Sequence, residues 1–426
     1  MRPIRSGAVG RCLWSDAAAP AVPARTAPPP DRVDVAIVGG GYTGLAAALA
    51  LARHGVAVAV LERHRLGGGA SGRNGGFVLP GFQPGLHALA ARVGESRARW
   101  LFHRSLEAVR SVESLVAAES IACDLSRCGS VLLAARPGHL AALERERRCL
   151  ERVAGHETVL LGPGELHREI GSRRYHGGLV DPSGGALHPA AYCAGLAAAA
   201  ERAGARLHEA AGVTAVCRAT GGFDLTTPAG PVRAREGLVA TDGCTGPPFR
   251  RLRRRVVPVG SHIIATAPLE PGLAARLMPG RRVMSDTRHL LHYFRLSPDG
   301  RLVFGGRSSM APMATARAAR TLGAAMRTVF PELAGSPIDY AWSGRVGFTL
   351  DRLPHAGRLD GVHYALGYGG HGVALATWLG TRMGEALAGR GDIPDLGPLR
   401  PVPLYGGWPW FLPLVDAYYR ARDRLG

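Results

Sequence analysis

Apolar residues run almost unbroken through Val33, Val35, Ala36, Ile37 and Val38, and again from Val56 to Leu61. Such runs are expected of strands buried on both faces of a parallel sheet. Between them, from about Thr43 to His54, small and apolar residues repeat at helical spacing until Gly55 stops the helix. Helical periodicity returns around 86–120 and 138–153, then at 189–203, 313–329 and 372–389. Short β-rich runs cover Ser130–Ala134, Gly178–Asp181 and Val362–Leu366, and further strands are expected near 205–242. From 256 to 306 the alternation of apolar and polar positions predicts antiparallel strands at Val256–Thr266, Leu290–Leu296 and Leu302–Gly305. Parallel-type elements at both ends, with an antiparallel sheet between them, predict an α/β fold in which one domain is assembled from discontinuous segments. The expected division is 31–84, 185–250 and 341–391 for that domain, and 85–184 and 251–340 for an α+β domain built on the antiparallel sheet. Residues 1–30, rich in Pro and Ala, read as an extended arm, and 392–426 as a tail with an aromatic segment from Trp408 to Tyr419.

The first strand runs directly into Gly39, Gly40, Gly41, Tyr42, Thr43 and Gly44, a match to G-x-G-x-x-G. In a Rossmann-type domain the first glycine allows the tight turn, the second lets backbone approach a pyrophosphate, and the third lets helix pack on strand. The helix N-terminus then points at the phosphates. Glu62 sits at the tip of the second strand, placed for ribose hydroxyls. The glycines alone are weak evidence. Strand, glycines, helix, Gly stop, second strand and acid in order, within about thirty residues, are specific for a dinucleotide cradle. They do not separate NAD from FAD.

Composition narrows the classes. The formal charge of +19 suggests nucleic acid, but all 52 basic residues are arginine, with lysine absent and Asn and Gln occurring once each. That pattern is what codon choice in a GC-rich genome would produce. The arginines are dispersed, only Arg250 to Arg255 forms a dense run, and no aromatic platform is interleaved with it, which argues against a nucleic-acid partner. Seven scattered cysteines complete no metal pattern, so no metal is expected. With no apolar run of bilayer-spanning length and no secretory core segment, a cytoplasmic protein without a membrane partner is expected.

A second Gly-rich loop, residues 67–76, follows Glu62 and contains the one Asn of the chain, Asn74. Its N–H groups and Arg73 suit a second phosphate and a flavin edge, which favours FAD. Near the C-terminus, Gly367, Tyr368, Gly369, Gly370, His371, Gly372 and Val373 open a helix whose N-terminus can face a flavin carbonyl. At these residues the chain resembles the FAD-dependent D-amino-acid oxidase/glycine oxidase superfamily and, within it, the γ-glutamylputrescine oxidoreductase branch. Asp181 to Gly185 with His188 and Pro189, Tyr340 to Gly344 and the closing stretch from Ala417 carry the likeness too. The resemblance implies that Gly39, Gly41, Tyr42, Thr43, Gly44, Glu62 and Arg63 hold the ADP half of FAD. Ala70, Ser71, Arg73, Asn74, Gly75 and Gly76 would follow the pyrophosphate and isoalloxazine, Val213 would touch adenine, and Thr241 and Gly344 would line the cofactor. Gly369, Gly370, Gly372 and Val373 would meet the flavin ring. Relatives that hold flavin covalently use a cysteine. None lies in Gly305–Met310, so the FAD is expected to be non-covalent.

The resemblance implies oxidation of a small-molecule amine or amino acid, with oxygen or another acceptor taking the electrons. Hydride transfer asks for orientation of the substrate C–H bond more than for a strong base. The candidate catalytic residues are His371 in the Gly-rich turn, Tyr293 and Arg295 on one face of a strand, and Arg307, which could hold a carboxylate. His262, Trp342 and His188 are weaker candidates. A structural role is the bland alternative for each: a cap for His371, packing for Arg295, a solvated side chain for Arg307. Rival functions are a flavin-dependent tailoring oxidation and an RNA-acting flavoprotein. Because lysine is absent, two outcomes are open: His371 or a nearby arginine supplies the positive charge for oxygen activation, or oxygen reacts slowly and another acceptor takes the electrons.

Overall fold

The computed structural model describes residues 4–17, 25–306, 310 and 313–425. The apolar runs at Arg32–Val38 and Val58–Leu61 form adjacent parallel strands. Gly230–Val239 and then Val362–Leu366 extend the sheet on one side, and Arg206–His208 on the other, all parallel. Five parallel strands assembled from sequence-distant segments make this the Rossmann-type sheet of an α/β fold. Helices Tyr42–Arg53, Glu95–Ala118, Pro189–Arg202 and Gly372–Leu387 bury an apolar core on one face.

Two of those helices touch through glycine. A Cβ on Gly380 would lie 2.3 Å from the Thr43 carbonyl oxygen, and one on Gly384 would lie 2.6 Å from that of Ala47. Only hydrogen at these positions lets the backbones come so close. Thr43 Oγ1 and Tyr368 Oη, 2.6 Å apart and buried, tie the second Gly-rich turn to the first.

The second sheet has eight strands, in the order Ile338–Phe348, Val257–Thr266, Leu302–Gly306, His292–Leu296, Val283–Asp286, Ser130–Leu133, Gly178–Asp181 and Val159–Leu161. Every pair is antiparallel except Val283–Asp286 with Ser130–Leu133. Its outer face packs on helix Thr315–Val329. Ile338–Phe348 continues through the expected boundary at residue 341, because it pairs with Val257–Thr266 on both sides of that residue, with one register shift near Asp339.

Both chain ends depart from expectation. The arm is not simply extended: Ile4 bridges Ile338, Val9 bridges Ala341, and Leu13–Ala17 is a short helix. Cys12, Leu13 and Trp14 bury against Ile263, Ala265, Val303 and Trp342, so scattered apolar side chains find partners remote in sequence. In the tail, Leu412–Leu425 is a helix. Asp423 accepts from the His289 and Leu290 N–H groups, both at 2.9 Å, and Asp416 accepts from Met310 N–H at 2.8 Å.

Candidate active site

The first strand delivers the chain to Gly39, whose φ of +110° and contact with Ala240 (an added Cβ would lie 2.7 Å from its carbonyl oxygen) exclude a side chain. Gly44 is equally constrained, since its Cβ would sit 2.0 Å from the Gly39 carbonyl oxygen. Gly41 caps the helix without a side chain of its own, and a Cβ there would meet Ser71 Oγ at 2.7 Å. Tyr42 N–H donates to that same Ser71 Oγ at 3.0 Å. The helix N-terminus, its first turn and the 67–76 loop therefore meet at one point, open to an anion because glycine leaves it open. Glu62 accepts from Gly40 N–H at 2.8 Å and from His64 N–H at 2.9 Å, one per oxygen, which leaves lone pairs for a ligand hydroxyl. Just beyond it a cleft of about 320 Å³ is lined by Arg63, Gly212, Val213, Thr214, Pro247 and Pro248, an apolar slot of the kind a purine enters. Thr241 packs its methyl group toward Gly39 and pairs its hydroxyl with Thr245 at 2.9 Å.

The 67–76 loop is fixed by its own side chains. Asn74 Nδ2 donates to the Ser71 and Ala70 carbonyls at 2.8 and 3.1 Å, and its Oδ1 accepts from Gly76 N–H at 2.7 Å. The lone Asn thus holds the loop's shape, and its amide is spent on the protein. Two indoles hold the same loop from outside: Trp14 donates to the Asn74 carbonyl and Trp342 to that of Arg73, both at 2.8 Å. Gly344 lies beside Arg73, where an added Cβ would come within 3.9 Å of the arginine Cβ.

The third glycine cluster needs positive φ at Gly367, Gly369 and Gly370. Asp242 joins it to the antiparallel sheet, accepting from Gly367 N–H at 2.7 Å through one oxygen and from Gly347 N–H at 3.0 Å through the other. His371 occupies the N-cap position of helix Gly372–Leu387, half-buried, and its side chain makes no cap hydrogen bond. Val373, in the first turn, is buried.

Over the 67–76 loop lies one face of the antiparallel sheet. Tyr293 edges onto Phe77, and its ring would be 3.2 Å from a Cβ on Gly75; its hydroxyl is 3.0 Å from Ser261 Oγ. Arg295, two residues along and only 4% exposed, donates to the Leu187 carbonyl at 2.8 Å and lies over the Trp14 ring at 5.0 Å. Its Nη2 would be 2.9 Å from a Cβ on Gly76. It makes no ion pair among the described residues, its buried Nε has no acceptor there, and burial pushes its pKa down to about 10. Here is a buried, fixed positive charge against the loop. Arg307 lies outside the described residues. Two weaker candidates make structural contacts: His262 Nδ1 pairs with Ser343 Oγ at 2.8 Å from the opposite face of the sheet, and His188 caps helix Pro189–Arg202 by accepting from Ala191 N–H at 3.2 Å. Burial pushes both histidines below their ordinary pKa.

Of the residues that build this site, Trp14, Ser261 and Asp242 escaped the sequence reading. A lone Trp in a Pro/Ala stretch and an acid just past a buried strand were the available signals.

The comparisons agree with this geometry. A family model described as FAD dependent oxidoreductase (DAO) matches residues 34–386. The chain is 36% identical over 401 residues to gamma-glutamylputrescine oxidoreductase of Escherichia coli (strain K12), covering 92% of this chain and 93% of that one. It is 35% identical to the probable oxidoreductase OrdL of Haemophilus influenzae, covering 88% of each. Among solved structures, glycine oxidase from Geobacillus kaustophilus superposes with a TM-score of 0.73 at 23% identity, over 88% of this chain and 99% of that one. With cradle, loop and match in agreement, this chain belongs to the DAO family of FAD dependent oxidoreductases, with FAD as its cofactor.

Proposed function

We propose that this enzyme oxidises the carbon–nitrogen bond of a small amine or amino acid. The observation that carries the reading is the placement of Tyr293 and buried Arg295 on the one sheet face that overlies the flavin loop at Gly75 and Gly76. Relatives named for γ-glutamylputrescine and for glycine support an amine substrate. FAD supplies the two-electron acceptor for the C–H bond next to nitrogen, the product is an imine, and oxygen or another acceptor completes the cycle.

The chain's residues do the rest. Gly41 admits the pyrophosphate, with Gly39 making the tight turn and Gly44 the close packing of helix on strand; Glu62 takes the ribose, and Val213 with Arg63 borders the adenine slot. Ser71, Asn74 and the two indoles keep the 70–76 backbone in one shape for the ring. Tyr293 offers its hydroxyl, shared with Ser261, to the substrate. Arg295 supplies a permanent positive charge that favours anions in the site, whether a substrate carboxylate or charge developing during electron transfer. In a chain without lysine, it is better buried for that task than half-buried His371. Incubating the FAD-loaded enzyme with candidate amines and amino acids tests the reading. Release of the matching carbonyl compound together with ammonia or a shorter amine is expected. Oxidation of a substrate that yields neither an imine nor its hydrolysis products would overturn it.

A further inference from the structure

Large apolar side chains stand unusually far into solvent in one stretch of the tail. Leu404 is 87% exposed, Trp408 71% and Leu414 67%, with Trp410 and Tyr418 also exposed. They form one continuous feature. Trp410 Nε1 donates to the Leu404 carbonyl at 3.1 Å, Trp410 N–H donates to that of Trp408 at 2.9 Å, and Leu414 follows in the first turn of helix Leu412–Leu425. The loop is stiff: Pro401, Pro403 and Pro409 restrict it, and Tyr405 beneath it is buried and donates to the Val256 carbonyl at 3.2 Å. Leu404 is held at φ +55°, a strained conformation for a branched apolar residue that ends in water.

The chain's one dense arginine run lies against this loop. Val402 N–H donates to the Arg254 carbonyl, Arg255 Nε donates to that of Leu399, and Gly407 packs on the Arg253 side chain. Arg250, Arg254 and Arg400 are exposed and make no ion pair among the described residues. The loop's nearest acid, Asp416, is taken by Met310 N–H and by Arg420. We infer that the 399–414 loop with Arg250–Arg255 is a docking surface for an anionic lipid bilayer, with Leu404, Trp408, Trp410 and Leu414 entering the headgroup region.

Apolar area and charge select this partner. Exposed apolar side chains beside unpaired arginines combine the two terms that bind a protein to an anionic bilayer surface, buried apolar area and electrostatic attraction. A second copy meeting this patch about a two-fold axis would bring the same arginines face to face, on a chain already carrying +19. Tryptophan and arginine together are the interfacial pairing that anionic headgroups favour. No described helix is long and apolar enough to cross a membrane, so attachment is peripheral.

Co-sedimentation of the holoenzyme with phosphatidylglycerol-containing vesicles and with pure phosphatidylcholine vesicles tests the proposal. Binding to the anionic vesicles, lost at high salt and absent with phosphatidylcholine, is expected. Trp408→Ser and Trp410→Ser should each weaken it about tenfold. Arg254→Gln with Arg400→Gln should weaken it about 25-fold, near fivefold per charge. Bound flavin and melting temperature in each variant confirm that the fold is intact. No association with anionic vesicles, or association unchanged in both sets of variants, overturns the proposal. So does a dimer in sedimentation velocity that Trp408→Ser dissociates, or RNA retention that the arginine variants abolish in the absence of vesicle binding.

Discussion

Replacing Arg295 with Met separates a structural from a functional reason for burying this cation. Displacement of its pKa down to about 10 corresponds to about 3 kcal/mol of lost solvation, present throughout the neutral range. Against that stand one hydrogen bond to the Leu187 carbonyl, about 1–2 kcal/mol for a charged donor, and the stacking over Trp14, about 1–2 kcal/mol when desolvated. The terms nearly cancel. Arg295→Met, close in volume and free of charge, should therefore leave the denaturation free energy of the apoprotein within about 2 kcal/mol of wild type. Function should respond far more. If the charge faces the reacting centre, kcat/KM should fall about a hundredfold or more, the usual loss when one electrostatic donor is removed. The midpoint potential of bound flavin should fall by about 30 mV or more, a tenfold change in a two-electron equilibrium. Arg295→Lys, which keeps charge but not the planar fork, should recover part of the potential. Chemical denaturation, dye-coupled reduction and steady-state kinetics read the three quantities. A stability loss above about 4 kcal/mol with unchanged potential and kinetics would refute the assignment and make Arg295 a packing residue.

Gly41→Val should yield a colourless apoprotein, because the side chain enters the space between the helix N-terminus and Ser71; a yellow variant with wild-type FAD content would contradict the cradle. Asp242→Ala orphans the Gly347 and Gly367 N–H groups, so stability should drop by about 2–5 kcal/mol and FAD should dissociate faster, as denaturation and flavin-fluorescence release will measure. For His188, the buried ring resists protonation while the unfolded chain accepts a proton near pH 6.5, so its contribution is present above that pH and lost as pH falls below it. His188→Asn, which can still cap the helix, should shrink the fall in melting temperature between pH 7.5 and 5.5, and an unchanged fall would exonerate His188. Heat- or acid-denatured enzyme should release its flavin into the supernatant; colour retained by the pellet would mean a covalent link.

Elements whose signal is local were legible. The buried strand, its glycines and the following helix are encoded within one stretch, as is the strand Val362–Leu366. Tyr293 and Arg295 share a face because a strand alternates, whatever surrounds it. What escaped depends on partners far along the chain. Trp14 looks like any residue of a Pro/Ala arm until it meets Asn74 and Trp342. Ile338–Phe348, interrupted by Ser and Gly, has weak alternation and is a strand because Val257–Thr266 lies beside it. The C-terminal helix is fixed by Asp423 on a loop over a hundred residues away. Asn74, the one Asn of the chain, uses its amide on the backbone of its own loop, a task set by how that loop closes and not by any pattern along the sequence.

The central claim, oxidation of a C–N bond at this flavin, is tested most directly by mixing oxidised holoenzyme with small amines and amino acids in the absence of oxygen. Bleaching of the flavin absorbance by one such compound, at a rate that saturates with concentration and equals or exceeds kcat for that compound, is the predicted result. A flavin that dithionite reduces but that no amine or amino acid bleaches would contradict it.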